Sequence, residues 1–188
     1  MSASHEMKTA LLILDIQKDF VGAAARMPVA PHHIEPMIDN INALAEKAKL
    51  AGIPVVYVGN EFPKTQWIAN WFRRQAAVEG SDGAQLDERL HQAKDAYFSK
   101  KRGDALSNRQ LRQYLKDRGI RHVIITGLFA EGCVTATARG ALHRHFHVTV
   151  IHDAVAGATD SKRDAALARL NKRGVFLSSS SEIFGNRK

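Results

Sequence analysis

The sequence of 188 residues contains a single cysteine, Cys133, and no long apolar run. One cysteine cannot form a disulfide within the chain, which is typical of a reducing compartment and leaves the thiol free for chemistry. No apolar run approaches the roughly 20 residues that a membrane-spanning helix needs. Residues 1–8 also lack the hydrophobic region of a secretory signal. We therefore expect a soluble, cytoplasmic protein.

The chain also lacks internal repeats and low-complexity tracts. Its length suffices for one sizeable core but not for two ordinary domains, so we predict a single domain over residues 1–188. Short apolar runs alternate with helical patterns, which indicates parallel strands joined by crossover helices. We predict a three-layer α/β/α sandwich with a doubly wound, mainly parallel, Rossmann-like sheet. The predicted strands span 10–15, 54–59, 122–127, 147–152 and 175–177, and the helices about 34–51, 107–118, 133–146 and 160–173.

Aromatic residues are few, at 7% of the chain, and both tryptophans fall in one mixed segment, residues 59–103, which we expect to be irregular. Ligands of open α/β sheets bind beyond the carboxyl ends of the strands, where this segment would lie. We predict that Phe62 and Trp67 wall a substrate pocket. The alternative is that these aromatics pack a lid or a subunit interface.

Cys133 stands between the apolar run 123–126 and a segment with helical character from Val134 onward. This position predicts a sulfur at the carboxyl end of a strand and in the first turn of a helix. A helix amino terminus favours thiolate over thiol. The alternative is an inert cysteine in the core, where free cysteines are common.

Two further residues follow predicted apolar segments at the same end of a parallel sheet. Asp15 comes directly after the aliphatic run 11–14, where an unpaired carboxylate would be costly. Lys100 follows the mainly apolar segment 96–99 and precedes a basic loop. The sequence therefore predicts that a carboxylate and an ammonium approach the thiol, although Lys100 could also be one solvated lysine of that loop.

These segments together resemble the isochorismatase-like cysteine hydrolases, which include nicotinamidases and N-carbamoylsarcosine amidases. Residues 14–20 (LDIQKDF) are similar to the family pattern D-x-Q-x-D-F, and Lys100 with residues 104–106 is similar to K-x-x-x-S/D-A-F. Residues 127–138 are close to G-x-x-x-x-x-C-V-x-x-T-A. The resemblance spans nearly the whole chain and implies a catalytic triad of Asp15, Lys100 and Cys133.

The resemblance also implies a mechanism. Cys133 would attack a carbonyl carbon, Asp15 would transfer the thiol proton to the leaving amine, and Lys100 would stabilise the thiolate. The product would be a thioester acyl-enzyme that water hydrolyses. The backbone N–H groups of Phe129 and Cys133 would form the oxyanion hole, displayed by a cis peptide bond between Leu128 and Phe129.

Nicotinamidases carry an Asp-x-His pattern and a further histidine after the second strand to hold a divalent ion. The corresponding residues 58–63 are VGNEFP, and no histidine lies between His33 and His91. His143, His145 and His147 span a helix end and a strand start, where cationic side chains complement the helix dipole. We therefore predict no metal and no other cofactor, and a substrate that is a small amide, ureide or carbamoyl compound.

Two alternatives remain. The first is isochorismatase chemistry, the hydrolysis of a vinyl ether, which does not depend on a cysteine nucleophile. The second is a non-catalytic binding module, suggested by a net charge of +8 and a pI near 9.8. The basic residues are spread along the chain without a nucleic-acid motif. We expect a small-molecule substrate, no nucleic acid, no membrane and, from the resemblance, a homo-oligomer.

Overall fold

The structure is a computed structural model that describes residues 7–91 and 95–184. Most of the amino-terminal segment that we interpreted as lacking a secretory signal lies outside the described residues. Within the two described ranges, no helix is both long and apolar enough to cross a bilayer.

Six parallel strands form one sheet in the order β3-β2-β1-β4-β5-β6. The strands are β1 (Thr9–Leu14), β2 (Val55–Asn60), β3 (Ala96–Lys100), β4 (His122–Gly127), β5 (His147–Val155) and β6 (Phe176–Ser178). The helices are α1 (Lys18–Val21), α2 (Ile34–Leu50), α3 (Trp67–Phe72), α4 (Arg109–Asp117), α5 (Thr135–His143) and α6 (Asp160–Asn171).

Alternate residues of β1 enter two separate cores, because successive side chains of a strand point to opposite faces. Leu11 and Ile13 pack with the apolar face of α2. Leu12 and Leu14 pack on the other face, with apolar residues of α4, α5 and α6. Both faces of the sheet are therefore covered by helices, which confirms the predicted three-layer sandwich with a doubly wound parallel sheet.

The predicted strands and helices match observed elements to within a few residues, with β5 longer than predicted, but α1, β3 and α3 were not predicted as such. The segment that forms β3 was recognised as apolar but its surroundings were expected to be irregular. It is an edge strand, hydrogen-bonded only to β2, and its first four residues are partly or largely exposed. Edge strands lack the continuous aliphatic run that marks a buried strand. Helix α3 has only six residues, too few for a helical period.

The strand order determines where on the sheet a site can form. In a sheet with the order 3-2-1-4-5-6, the connections leave β1 and β4 in opposite directions, and a crevice opens between their carboxyl ends. Leu14 and Gly127, the last residues of β1 and β4, are paired in the register. Asn60 and Lys100, the last residues of β2 and β3, are also paired. Side chains that follow these four strands therefore converge at one edge of the sheet.

Candidate active site

Asp15 lies directly after β1, at the crevice between β1 and β4. Its side chain is almost fully buried, and its backbone N–H donates to the Val58 carbonyl oxygen at 2.8 Å. Its φ is 60°, in the left-handed region that disfavours residues with a Cβ by about 1–2 kcal/mol. Aspartate tolerates this region better than most residues, and here it turns the carboxyl group into the crevice.

Lys100 ends β3 and crosses over the end of β2 to reach Asp15. Its Nζ atom lies 3.0 Å from Oδ2 of Asp15, and both side chains are almost fully buried. The same ammonium donates to Oδ1 of Asn60 at 2.6 Å. Side-chain contacts with Cys133 and Asn60 also act on the Asp15 carboxyl group. The site therefore holds a buried ion pair with the thiol beside it.

Cys133 lies in a distorted helical turn, residues 130–134, between β4 and α5. Gly132, just before it, departs from helical geometry with φ −108° and ψ −107°. The thiol Sγ accepts a hydrogen bond from Lys100 Nζ at 3.1 Å. Irregular turns of this kind are frequent at functional sites because they redirect one side chain. The structure therefore brings Asp15, Lys100 and Cys133 into one cluster around the lysine ammonium.

Burial decides the protonation states of this cluster. Burial raises the pKa of the Asp15 carboxyl, and the Lys100 ammonium only partly offsets this. Burial acts to lower the pKa of Lys100, but the Asp15 charge and Cys133 outweigh it, so the net pKa is raised. Burial, with the nearby Asp15 charge, raises the pKa of the Cys133 thiol to about 12. Lys100 is therefore protonated and Cys133 is a thiol in the resting protein.

Burial outweighs one effect of the position of Cys133. A helix amino terminus favours thiolate over thiol, but the net pKa of this thiol is raised. Desolvation of the thiolate and repulsion from Asp15 raise this pKa by more than the Lys100 ammonium lowers it. The thiol must therefore lose its proton during attack, and the Asp15 carboxylate, with its raised pKa, accepts a proton more readily than an ordinary carboxylate.

The loop from Gly127 to Cys133 is held by contacts that specify its path. Gly127 has φ 104°, and a Cβ at this position would collide with the Leu14 carbonyl oxygen. The Leu128–Phe129 peptide bond is cis. The Phe129 ring packs edge-on against Phe20 at a centroid distance of 5.6 Å. The Phe129 N–H donates to no backbone acceptor among the described residues.

Two amide side chains at this edge were not predicted as site residues. Asn60 Oδ1 accepts from Lys100 Nζ, and its Nδ2 lies 3.8 Å from Cys133 Sγ. Gln17 is fully buried and exchanges two 2.8 Å hydrogen bonds with the backbone of Asn60. The position of Asn60 at the end of a buried strand, the same signal that identified Asp15, could have identified it.

Phe62 and Trp67, the residues predicted to wall a pocket, lie in different environments. Phe62 is buried in the core cluster, with the Arg73 guanidinium stacked 3.9 Å from its ring centroid. Trp67 begins α3 and is 72% exposed. Trp71 and Phe72 of the same helix are similarly exposed. One predicted pocket residue therefore belongs to the core and the other to an aromatic surface.

The three-layer fold and a thiol beside a buried carboxyl group and ammonium define the class of an α/β cysteine hydrolase. The chain belongs to the isochorismatase family, because residues 9–182 match the isochorismatase domain model.

Similar proteins agree with this class. The chain is 27% identical to a ureidoacrylate amidohydrolase RutB of Pseudomonas savastanoi pv. phaseolicola, over 92% of this chain and 80% of the relative. A structure of N-carbamoylsarcosine amidase from Thermoplasma acidophilum is 29% identical, with a TM-score of 0.80 and coverage of 95% and 100%. A pyrazinamidase of Pyrococcus horikoshii in complex with zinc is 26% identical, with a TM-score of 0.80 and coverage of 92% and 99%.

Proposed function

We propose that Cys133, Asp15 and Lys100 act as nucleophile, general base and electrostatic stabiliser in hydrolysing a small amide, ureide or carbamoyl compound. One observation carries the proposal: the buried Lys100 Nζ lies 3.0 Å from Oδ2 of the buried Asp15 and 3.1 Å from Sγ of the half-buried Cys133. The protein is a hydrolase of carbon–nitrogen bonds other than peptide bonds. The amidohydrolase and amidase named among its relatives support this activity.

The chemistry follows from these positions. As Cys133 Sγ bonds to the carbonyl carbon, its proton passes to the Asp15 carboxylate. The tetrahedral intermediate collapses when the C–N bond breaks, and Asp15 returns the proton to the leaving nitrogen. Water then attacks the thioester carbon and gives one proton to Asp15. The C–S bond breaks, the acid product leaves, and Asp15 returns the proton to Cys133 Sγ, which restores the thiol. Lys100 remains protonated and stabilises negative charge on sulfur and carboxylate in turn.

The oxyanion of each tetrahedral intermediate needs preorganised N–H donors, and a missing donor typically costs about 3 kcal/mol of barrier. We assign this role to the backbone N–H groups of Phe129 and Cys133. The absence of a backbone acceptor for the Phe129 N–H among the described residues supports the assignment. No metal or cofactor has a step in this chemistry.

For the substrate pocket we retain Phe62 and Trp67 as proposed walls. Both follow β2 at the carboxyl edge of the sheet, where Phe62 is buried and Trp67 is available for contact. The exposed aromatics of α3 also suit an interface between copies of the chain, so we propose a homo-oligomer. We further propose a single cytoplasmic domain that binds neither nucleic acid nor membrane.

The test is intact-protein mass spectrometry after brief exposure to a panel of small amides and ureides. The wild-type protein should acquire an acyl group on Cys133 from at least one panel member. Asp15→Asn should lose the adduct because the proton has no acceptor, and Lys100→Ala because the thiolate has no counter-charge. Lys101→Ala is the matched control, since this neighbouring lysine is exposed.

The adduct should persist in Lys101→Ala. An adduct that forms equally well in Asp15→Asn or Lys100→Ala would contradict the assigned roles. If no panel member yields an adduct or a hydrolysis product, the proposed substrate class is wrong.

A further inference from the structure

A second cluster of ligating side chains lies outside the proposed catalytic residues. His32 Nε2 and His33 Nε2 each lie 2.8 Å from the same carboxylate oxygen, Oδ1 of Asp160. The two imidazole rings are 4.3 Å apart between centroids. All three ligating atoms lie within 4.8 Å of one another, and no other group of three such residues was found among the described residues.

We propose that His32, His33 and Asp160 form a binding site for a divalent transition metal ion such as Zn²⁺. Two imidazoles and one carboxylate are a donor set that suits zinc, cobalt and nickel and suits hard cations such as Mg²⁺ poorly. Three protein ligands leave one tetrahedral position for water.

The geometry needs little change to admit the ion. With bonds of about 2.0–2.1 Å, tetrahedral ligand atoms are about 3.4 Å apart. Each nitrogen must therefore move about half an ångström from Oδ1 to make room for the ion. The side chains of His32 and Asp160 are 63% and 60% exposed, which leaves them room to move and gives the ion a path of entry.

The backbone around the site is already in place. The two histidines lie in a turn begun by Pro31 that leads into α2, and Asp160 is the first residue of α6. The Ala30 N–H donates to the Gly157 carbonyl at 3.0 Å and joins the two segments. His33 is the least exposed of the three, with 17% of its side chain exposed. A metal here would bind a partly preorganised site and would not need to gather distant segments.

Arg163, three residues after Asp160, is engaged elsewhere. Its guanidinium contacts the carboxylate of Asp164 at 2.8 Å and the carbonyl oxygens of Val155 and His152. Its charge is therefore partly neutralised, and its donors are occupied by acceptors outside the cluster. This arrangement reduces the repulsion that an arginine would exert on an incoming divalent ion.

A metal at this position would tie the two helical layers together. α2 covers one face of the sheet and α6 the other. The ligands are 128 residues apart in sequence, so the ion closes a long loop, and an ion that binds only the folded chain stabilises it.

The experiment titrates tag-free protein with Co²⁺, followed by visible absorption, and measures the melting temperature with Zn²⁺ and with Mg²⁺. We expect one Co²⁺ per chain with the absorption of a tetrahedral ion, and a rise in melting temperature with Zn²⁺ only. His33→Ala and Asp160→Asn should lose both signals, whereas His143→Ala, which removes another exposed histidine, should keep them.

A repeat of the titration in Cys133→Ser removes the thiol as a competing ligand, and the absorption should persist. Absence of binding by the wild type would overturn the proposal. Binding that survives in both His33→Ala and Asp160→Asn, or that disappears in Cys133→Ser, would also overturn it by placing the ion elsewhere. Circular dichroism of each variant verifies that it is folded, and His32→Ala provides a further ligand variant at an exposed position.

Discussion

The two ends of the same sheet hold different kinds of polar groups, charged at the carboxyl end and neutral at the amino end. At the carboxyl end, the buried Asp15 and Lys100 form an ion pair beside the half-buried Cys133. At the amino end, His122 lies between two hydroxyl groups, with Nδ1 3.2 Å from Thr9 Oγ1 and Nε2 2.8 Å from Thr149 Oγ1. A neutral imidazole satisfies both hydroxyls as one donor and one acceptor. The buried charges thus lie at the carboxyl end, where the strand order opens a crevice. At the amino end, where the strand order opens no such crevice, His122 is held by neutral hydrogen bonds.

The largest expected effect is on activity at the carboxyl end. Cys133→Ser keeps nearly the same shape but replaces the sulfur with a poorer nucleophile. We expect kcat/KM for an adduct-forming amide to fall by about a thousandfold or more. Thr149→Ser at the amino end, which keeps the hydroxyl, should leave kcat/KM unchanged. If Cys133→Ser retains more than about a tenth of the wild-type value, Cys133 is not the nucleophile.

The next effect is on stability and comes from the buried ion pair. Lys100→Met removes the ammonium but keeps the length of the side chain, so Asp15 is left as an uncompensated buried charge. We expect the free energy of unfolding, measured in urea, to fall by about 3–5 kcal/mol. Lys101→Met is the exposed control and should cost little. Adding Asp15→Asn to Lys100→Met should recover part of the loss. Equal stability of Lys100→Met and Lys101→Met would show that the pair is not isolated from water.

A smaller difference is expected between the losses of stability when alanine replaces the glycine at each end of β4. At the carboxyl end, Gly127→Ala places a Cβ against the Leu14 carbonyl oxygen at φ 104° and should destabilise the protein by about 2–3 kcal/mol. Before the amino end, Gly119 has φ 65°, and the nearest atoms to an added Cβ belong to the flexible Lys8 side chain, at 3.7 Å. Gly119→Ala should cost about 1 kcal/mol. Thermal unfolding of both variants tests this order, and the reverse order would contradict it.

The smallest effect is a pH dependence at the amino end. Burial lowers the pKa of His122, and the nearby His147 lowers it further. The unfolded chain, with a histidine pKa near about 6.5, therefore binds a proton before the folded chain does. The stability that neutral His122 contributes is therefore complete above about pH 6.5 and is lost as the pH falls below it.

His122→Gln keeps hydrogen-bonding capacity without this titration. Its free energy of unfolding should fall less than that of the wild type between pH 7 and pH 5. His143→Gln, at an exposed position, serves as the control and should follow the wild type. A pH profile of His122→Gln identical to that of the wild type would show that His122 is not responsible.

Much of the fold could be predicted, because buried strands have a local signature. The aliphatic run before Asp15 and the β-branched run before Gly127 each identified a central strand, and the residue types after them identified two of the clustered residues. The edge strand β3 has no such run, since only one of its faces is well covered. Asn60 was overlooked because an asparagine after a strand has many other roles.

The sequence by itself determined the alternation of strands and helices and which residues follow the central strands, because hydrophobic period and chain order are local properties. Only the tertiary structure decided that the pKa of the Cys133 thiol is raised, that Asn60 contacts Lys100, and that His32 and His33 meet Asp160. A pKa depends on desolvation and on charges brought from distant segments. The contact between His32 and Asp160, which are 128 residues apart, depends on how the fold brings the starts of α2 and α6 together.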